Sequence, residues 1–566
     1  MEIHRVLIAV VLSLAVLLIW NFLFPPAPPQ RTMTQQEETQ SPQQTPSTAE
    51  QAQISPEPVP DEIQDFQPVE GRQVKIETPL YRAVFNTSGG ILEHFVLKKY
   101  KQTIEPDSPA IDLITPRSLR LGPMGLAWNG QPTWTQAKWA FDGRDLNLSA
   151  GEEETITFTG RMPGLDIVRT ITFKADTYEM SQEVQLINTT QSQLAGNMAN
   201  VLATPPFSDD RYNPTRMVYF DPDGLTHEKD KALRDGLTTE TPIQWSGVGN
   251  HYFLLAFVPD QSIDSRLKAG MKDGIFHIST DSDVLIEPGK AIALNSTYYI
   301  GPKDRDHLKN APGQLEKAIY YGWFNVIAKP LVLLLNYLQE FTKNYGAAIL
   351  VLTLIIKILF WPLAQKSYKS MNQLKKLQPM MAKIREKYKD DRQKMNEEMM
   401  RLYKTYKVNP AGGCLPILVQ IPVFIALYQG LMGSVELRHA EFIYYLPFTD
   451  IIWLADLSAK DPLYITPLIM GVTMFLQQKM SPPPGDPMQA KLMLFLPLIF
   501  IFIFISFPAG LVLYWLTNNV LSIGQQWWVL KKAGSAPTAA ADRKTTEKDQ
   551  PEPAAKTGRK KKKKKT

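Results

Sequence analysis

Among 566 residues there is one cysteine, Cys414. That excludes an internal disulfide framework and any zinc site built on thiolates. Ala411-Gly-Gly-Cys414 has the spelling of a lipoprotein cleavage box but lies deep in the chain, so Cys414 reads as a small, buried apolar residue. Histidine is also scarce: seven are scattered, with no cluster at metal-ligand spacing. No GxxxxGK[ST] loop, HExxH helix or GxSxG elbow occurs, which removes the common nucleotide, zinc-protease and serine-hydrolase chemistries. The reading is of a chain that is not an enzyme, with no catalytic residues, no metal, no cofactor and no small-molecule substrate. Large apolar residues are nearly missing from 25–72, a stretch rich in Pro, Gln, Glu, Ser and Thr. It cannot bury enough surface to fold and reads as a disordered periplasmic linker.

What is present is unevenly distributed. Residues 6–24 are apolar for about 19 positions, the length that crosses ~30 Å of hydrocarbon. His4 and Arg5 precede them, and Pro25 and Pro26 follow in place of a small-residue cleavage site. Residues 1–24 therefore read as an uncleaved N-terminal anchor with its start in the cytoplasm. From 73 to 310 short alternating runs, such as 155–159 (TITFT) and 166–174 (DIVRTITFK), are separated by Gly, Pro, Asn and Asp. That is the pattern of an antiparallel β-sandwich, placed outside the cytoplasmic membrane by the outward-running anchor. Residues 318–341 are apolar but interrupted by Asn325, Lys329, Pro330 and Asn336, and open with Tyr320, Tyr321 and Trp323. They read as an amphipathic helix lying in the interface.

Five further apolar runs, about 345–364, 412–433, 463–480, 492–507 and 510–530, read as spans. With the anchor they predict an α-helical polytopic membrane protein of six transmembrane helices carrying a large periplasmic antiparallel β-sandwich. Charge supports that orientation. Residues 365–413 hold 13 Lys/Arg against 5 Asp/Glu, a net of +8, whereas 434–461 hold 2 against 5, a net of −3. The tail, 531–566, holds 13 against 4, a net of +9. Short loops rich in Lys and Arg stay in the cytoplasm. Both termini are thus expected there, in a multi-pass membrane protein.

Three features stand out as candidate sites. Lys357 lies within the second apolar run, where a cation costs ~2.5–3.5 kcal/mol on insertion scales. It is about eight residues from Gln365, roughly 12 Å along a helix. Its stem can snorkel toward the interface, or its charge can serve a wet cavity. Thr353 sits one turn earlier on the same face, and Gln420, Thr517, Asn518, Asn519, Gln525 and Gln526 are polar residues in other spans that could line such a groove. The same residues could equally hydrogen-bond between helices. The second feature, 365–408, reads as two amphipathic helices joined at Asp390-Asp391. Met371, Leu374, Leu377 and Met381 form one stripe, and Met395, Met399, Leu402 and Tyr406 the other. A methionine-rich cationic surface can re-pack against varied apolar partners, and the same stripes could pack on each other. The third is the block Lys560, Lys561, Lys562, Lys563, Lys564 and Lys565, suited to RNA or anionic lipid, or to reinforcing topology.

Residues 408–429 (VNPAGGCLPILVQIPVFIALYQ), then Leu431-Met-Gly-Ser-Val-Glu-Leu-Arg438, closely resemble the YidC/Oxa/Alb membrane-insertase family. So do Met470-Gly-Val-Thr-Met474, Gln478-Lys-Met-Ser481, Asp486-Pro-Met-Gln489 and Phe507-Pro-Ala-Gly-Leu-Val-Leu-Tyr514. With the anchor, linker and β-rich region, the resemblance covers nearly the full chain, in the family's long Gram-negative form, which implies a bacterial inner-membrane protein with its large domain in the periplasm. It implies a five-helix insertase core, 345–530, around a hydrophilic cationic groove open to cytoplasm and lipid. The family's groove charge is usually Arg and falls on Lys357 here, a point charge without a planar fork. The resemblance also implies that hairpin 365–408 receives nascent membrane proteins. Partners it implies are the Sec translocon, the ribosome through the basic tail, and anionic lipids. The function expected is insertion and chaperoning of integral membrane proteins, alone or with Sec. Two rivals are a secondary transporter, which would show internal repeats, and an anchored periplasmic carbohydrate-binding module.

Overall fold

The computed structural model describes residues 71–208, 213–239, 241–408, 415–481 and 487–534. The anchor and nearly all of the linker, Cys414 and the terminal lysines lie outside the described residues.

Alternation builds the β-rich part. Strand Leu165–Lys174 buries every second residue, from Leu165 to Phe173, as a strand with one covered face must. It sits inside a nine-stranded sheet between Glu153–Met162 and Glu179–Asn188, both antiparallel to it. A six-stranded sheet built on Leu194–Thr204 and Ile275–Ile286 faces it. Polar pairs cross between the sheets: Gln182 Nε2 donates to Asn200 Oδ1 at 2.9 Å, and the Ser246 and Thr280 hydroxyls meet at 3.1 Å. A five-stranded sheet around Tyr81–Asn86 completes the core, with Phe85, Phe95, Phe158 and Phe173 fully buried. Antiparallel pairing dominates, with one departure among the described residues: Gln73–Glu77 pairs in parallel with Leu146–Asn147.

Arg169 breaks the alternation rule chemically. It occupies an inward position between Ile167 and Ile171 and is fully buried. Its Nε donates to Gln182 Oε1 at 2.7 Å, and Nη1 to the carbonyls of Gly89 and Gly90 at 3.1 and 2.9 Å. Gly90 has φ +64, so a side chain there would be strained and would also crowd the guanidinium.

The remaining chain is helical. Helix α1 (Asn325–Thr342) begins seven residues after the start of the expected interfacial run, because 3₁₀ turns and Gly322 at φ +70 interrupt it. It buries Ala328, Val332 and Leu335 while Val326 is 86 % exposed and Phe341 69 %. Helix α2 (Tyr345–Leu359) is capped by Asn344, whose side chain accepts from Ala347 N. The expected continuous run to residue 364 breaks at Phe360: α3 (Trp361–Lys387) leaves at 64° to α2. Pro362, in the first turn of α3, lacks the N–H that would carry α2 onward. Helix α4 (Arg392–Thr405) folds back on α3, its start capped by Asp391 accepting from Lys394 N. Helices α5 (Leu415–Gly433), α6 (Ile465–Met480), α7 (Pro487–Phe504) and α8 (Ala509–Gly534) complete the set.

Among the described residues no single helix is both long and apolar enough to cross a membrane; two bent pairs are. These are 312–318 with 322–342, and α2 with α3, while Leu418–Gly433 and Met493–Phe504 are shorter apolar helices. In α8 the polar residues between Thr517 and Gln526 dilute the apolar run. One apolar core nevertheless joins all these helices except the α3–α4 hairpin, through Leu335, Leu352, Leu427, Met470, Phe504 and Val512 among others.

Candidate functional site

Helix α8 presents Tyr514, Asn518 and Ser522 at i, i+4 spacing, one stripe of one face. Lys357, 8 % exposed on α2, meets that stripe. Its ammonium donates to Ser522 Oγ at 2.6 Å and to Asn518 Oδ1 at 3.3 Å. Ser522 in turn donates its hydroxyl proton to Asn518 O at 2.6 Å, which leaves its lone pairs for the lysine. From α5, Gln420 Nε2 donates to the same Asn518 Oδ1 at 3.0 Å and to Tyr514 OH at 3.4 Å. Three helices thus converge on one polar network holding one cation. No carboxylate pairs with Lys357 among the described residues. Its partners are neutral dipoles, which hold a buried charge without cancelling it.

The other polar residues of α8 extend the stripe. Gln525 Nε2 reaches Trp361 O, at the α2–α3 break, at 3.3 Å, and Gln526 Nε2 reaches Ser481 Oγ at 3.5 Å. Asn519 Nδ2, Gln525 Oε1 and Gln526 Oε1 are buried with no partner among the described residues. Unsatisfied amide atoms in such numbers mark a place suited to water or polar chain.

Two of the singled-out residues sit differently. Thr353 is 1 % exposed and its hydroxyl donates to Ile349 O within its own helix at 2.6 Å. Thr517 does the same toward Leu513 O at 2.7 Å. Both hydroxyls are satisfied locally and neither bonds to Lys357. Ser522 was not singled out from the sequence, although it lies four residues after Asn518 in a polar run; Tyr514 was noticed only as part of a motif.

Next to the network, away from the α2–α3 break, α5, α7 and α8 close on one another through aromatics. Phe424 packs on Trp515 at 4.6 Å between centroids, Phe504 on Trp515 at 5.3 Å, and Phe504 on Phe507 at 5.2 Å. The turn into α8 is clamped too: Ala509 N and Gly510 N donate to Ala459 O and Leu457 O.

In the hairpin, Leu377, Met381, Met399 and Val408 are buried together, with Leu374 and Met395 packed against them. Tyr403 OH contacts Met381 Sδ at 3.9 Å. Much of the expected apolar stripe is therefore used between α3 and α4. Met371 is half-buried and outside that cluster, while Met380 (42 %) and Met400 (52 %) are exposed.

The family described as YidC periplasmic domain matches residues 73–334, and that described as 60Kd inner membrane protein matches 337–536. A membrane protein insertase YidC from Maridesulfovibrio salexigens is 50% identical over 537 residues, 94% of this chain and 99% of that one. Its counterpart from Geobacter metallireducens is 40% identical over 546 residues, again 94% and 99%. A crystal structure of an active YidC insertase with its first transmembrane domain resolved has a TM-score of 0.36 at 19% identity, covering 82% of this chain and 95% of that chain.

Proposed function

The chain belongs to the YidC family of membrane protein insertases, and from that premise we propose that it inserts membrane proteins through the polar network centred on Lys357. Helices α2, α5, α6, α7 and α8 form the insertase core, with the anchor making six spans and the β-rich domain in the periplasm. Bent α2–α3 and the short α5 and α7 fit a thinned hydrocarbon region around the groove. A client's short hydrophilic flank enters from the cytoplasmic side, where the α2–α3 break and Gln525 lie. An acidic group on that flank exchanges with Ser522 and Asn518 at the Lys357 ammonium. Attraction in a low-dielectric setting exceeds that in water and offsets part of the client's desolvation. The aromatic cluster of Phe424, Phe504 and Trp515 closes the opposite end. The client's apolar helix then moves into lipid, gaining ~0.3–0.6 kcal/mol for each strongly apolar residue at mid-membrane. The exposed edge of the hairpin receives clients first, and Sec, the ribosome and anionic lipid act as partners.

One observation carries this reading: a buried lysine held by two neutral groups of α8, with no counter-ion among the described residues. Insertion of a Sec-independent client with an acidic flank, measured in vesicles with Lys357→Ala, Lys357→Arg and Lys357→Glu, tests it. Loss in Ala, retention in Arg and the deepest loss in Glu is the expected result. Equal insertion by all three removes the charge from the mechanism.

A further inference from the structure

The register of the nine-stranded sheet gathers cationic side chains at one end. Arg216 opens its strand opposite Gly249, and Lys303 follows the last strand of the sheet, its backbone N–H held by Tyr252 O at 2.7 Å. The Lys303 stem lies against Gly249: a Cβ there would come within 3.2 Å of Lys303 Cε. His227 enters from the neighbouring strand, opposite Val218. Loss of solvent around the ring holds His227 down at about 4, with repulsion from nearby Lys303, Arg216 and His251 adding to it. Lys303, itself 9 % exposed, is lowered to about 8 by burial. The neighbouring acids face elsewhere. Asp304 caps the following turn through Asp306 N and His307 N, and Glu228 is engaged by the Tyr219 hydroxyl.

This cationic end adjoins the start of the helical core. The His227 ring lies 6.3 Å from that of Tyr320. Tyr320 and Trp323 are 51 % and 58 % exposed, and Val326, at the start of α1, is 86 % exposed. Exposed aromatics beside an apolar helix edge sit at the headgroup level of a bilayer. A cation cluster at that depth attracts anionic lipid.

We propose that Arg216, His227 and Lys303 form a site for the phosphate of an anionic phospholipid in the outer leaflet, seating the β-rich domain on the membrane beside α1. The acyl chains run along Val326 and Trp323, while the phosphodiester faces the Arg216 and Lys303 cations and takes an N–H from the neutral His227 ring. The site rests on the periplasmic placement of the β-rich domain proposed above, but not on the role of Lys357.

Native mass spectrometry of the full-length protein in detergent, titrated with phosphatidylglycerol or phosphatidylethanolamine, tests it. In R216Q/K303Q, retained phosphatidylglycerol falls by on the order of fivefold for each cation removed, with phosphatidylethanolamine unchanged. Lys303→Arg keeps binding, which separates lost charge from a damaged fold. Lys357→Ala keeps phosphatidylglycerol while losing insertion, so failure of either proposal is seen separately. Unchanged phosphatidylglycerol in the double variant overturns the site. Equal competition by soluble glycerol 1-phosphate overturns the assignment to lipid, leaving a phosphate-ester site.

Discussion

Lys357 Nζ donates to Ser522 Oγ over 2.6 Å, and the same oxygen passes its own proton to the Asn518 carbonyl. The serine is thereby oriented as an acceptor for the ammonium. Removing it leaves the lysine with Asn518 alone, at 3.3 Å. Ser522→Ala should lower stability by about 1–2 kcal/mol, since a charged donor loses a good acceptor. Its insertion of an acidic-flanked client should stay within about twofold of the unsubstituted protein, because a client carboxylate replaces the serine. Thermal unfolding in detergent and vesicle insertion, read side by side, check the separation.

Gln420 and Lys357 share Asn518 Oδ1 as acceptor. Asn518→Leu keeps the side chain's size but strips both donors of that partner, leaving Lys357 with Ser522 alone and Gln420 with only its longer contact to Tyr514. A loss of roughly 1–3 kcal/mol is expected, one hydrogen bond from each of two buried donors. Adding Gln420→Leu should restore part of it, since the under-satisfied amide is then gone. A double-mutant cycle on thermal unfolding measures this coupling; strict additivity would mean the two residues do not share the acceptor.

Much of this architecture is legible in the sequence, and the exceptions have physical reasons. Alternation in 166–174 marks a strand with one buried face, but nothing in the pattern says that Arg169 occupies that face. Its partners, Gln182 and the Gly89 and Gly90 carbonyls, come from distant parts of the chain. Lys357 announces itself by sitting in an apolar run. Ser522 does not, because a serine in a helix is ordinarily satisfied by its own backbone, as Thr353 and Thr517 are. The bend at Phe360 could have been read from Pro362 and was masked by the apolar residues on either side. Helical spacing in the hairpin marks one face on each helix, of which Met371 and Tyr406 fall outside the buried cluster, and does not say whether those faces meet each other or a client.

Arg169 is held by one amide oxygen and two backbone carbonyls, and burial lowers it to about 10, still protonated at neutral pH. Arg169→Ala opens a cavity and orphans Gln182 and the two carbonyls at once. A loss of roughly 3–5 kcal/mol is expected. Arg169→Met fills the volume and should recover a minority of it. Chemical denaturation followed by tryptophan fluorescence resolves the difference, and Trp139 and Trp134 near Gly89 and Gly160 are suitable reporters.

Glu436, in the segment after α5, is raised to about 7 by burial, with Asp304 and Asp306 adding repulsion and its own backbone N–H opposing. The folded form therefore keeps its proton while the unfolded chain, near 4.5, has released it. Between those two values stability falls as pH rises, and above about 7 the whole penalty is present. Three histidines act in the opposite sense. His227 and His277 are lowered to about 4 by burial, and His439 is lowered by burial with Arg438 adding to it and Asp456 opposing. Their contribution grows as pH rises toward 6.5. The melting profile of the full-length protein is the sum, so the informative quantity is its difference from Glu436→Gln. The advantage of Gln should be small at pH 5 and largest at pH 8; an advantage independent of pH would place the Glu436 titration outside this window.

In the hairpin, burial and exposure separate two roles that the methionine stripe could play. Met381 and Met399 are 6 % and 9 % exposed and pack between α3 and α4, whereas Met380 and Met400 point outward. Met381→Ala or Met399→Ala should loosen the hairpin by about 2–4 kcal/mol, since deleting a buried thioether leaves a cavity. Tryptic cleavage at its many lysines and arginines then accelerates. Met380→Asp with Met400→Asp changes only the outer surface, so cleavage should be unaltered while photo-crosslinking to a nascent client weakens. The opposite result, in which the outer pair leaves crosslinking intact and only the inner pair reduces it, would show that the hairpin supports α3 and that clients are received elsewhere.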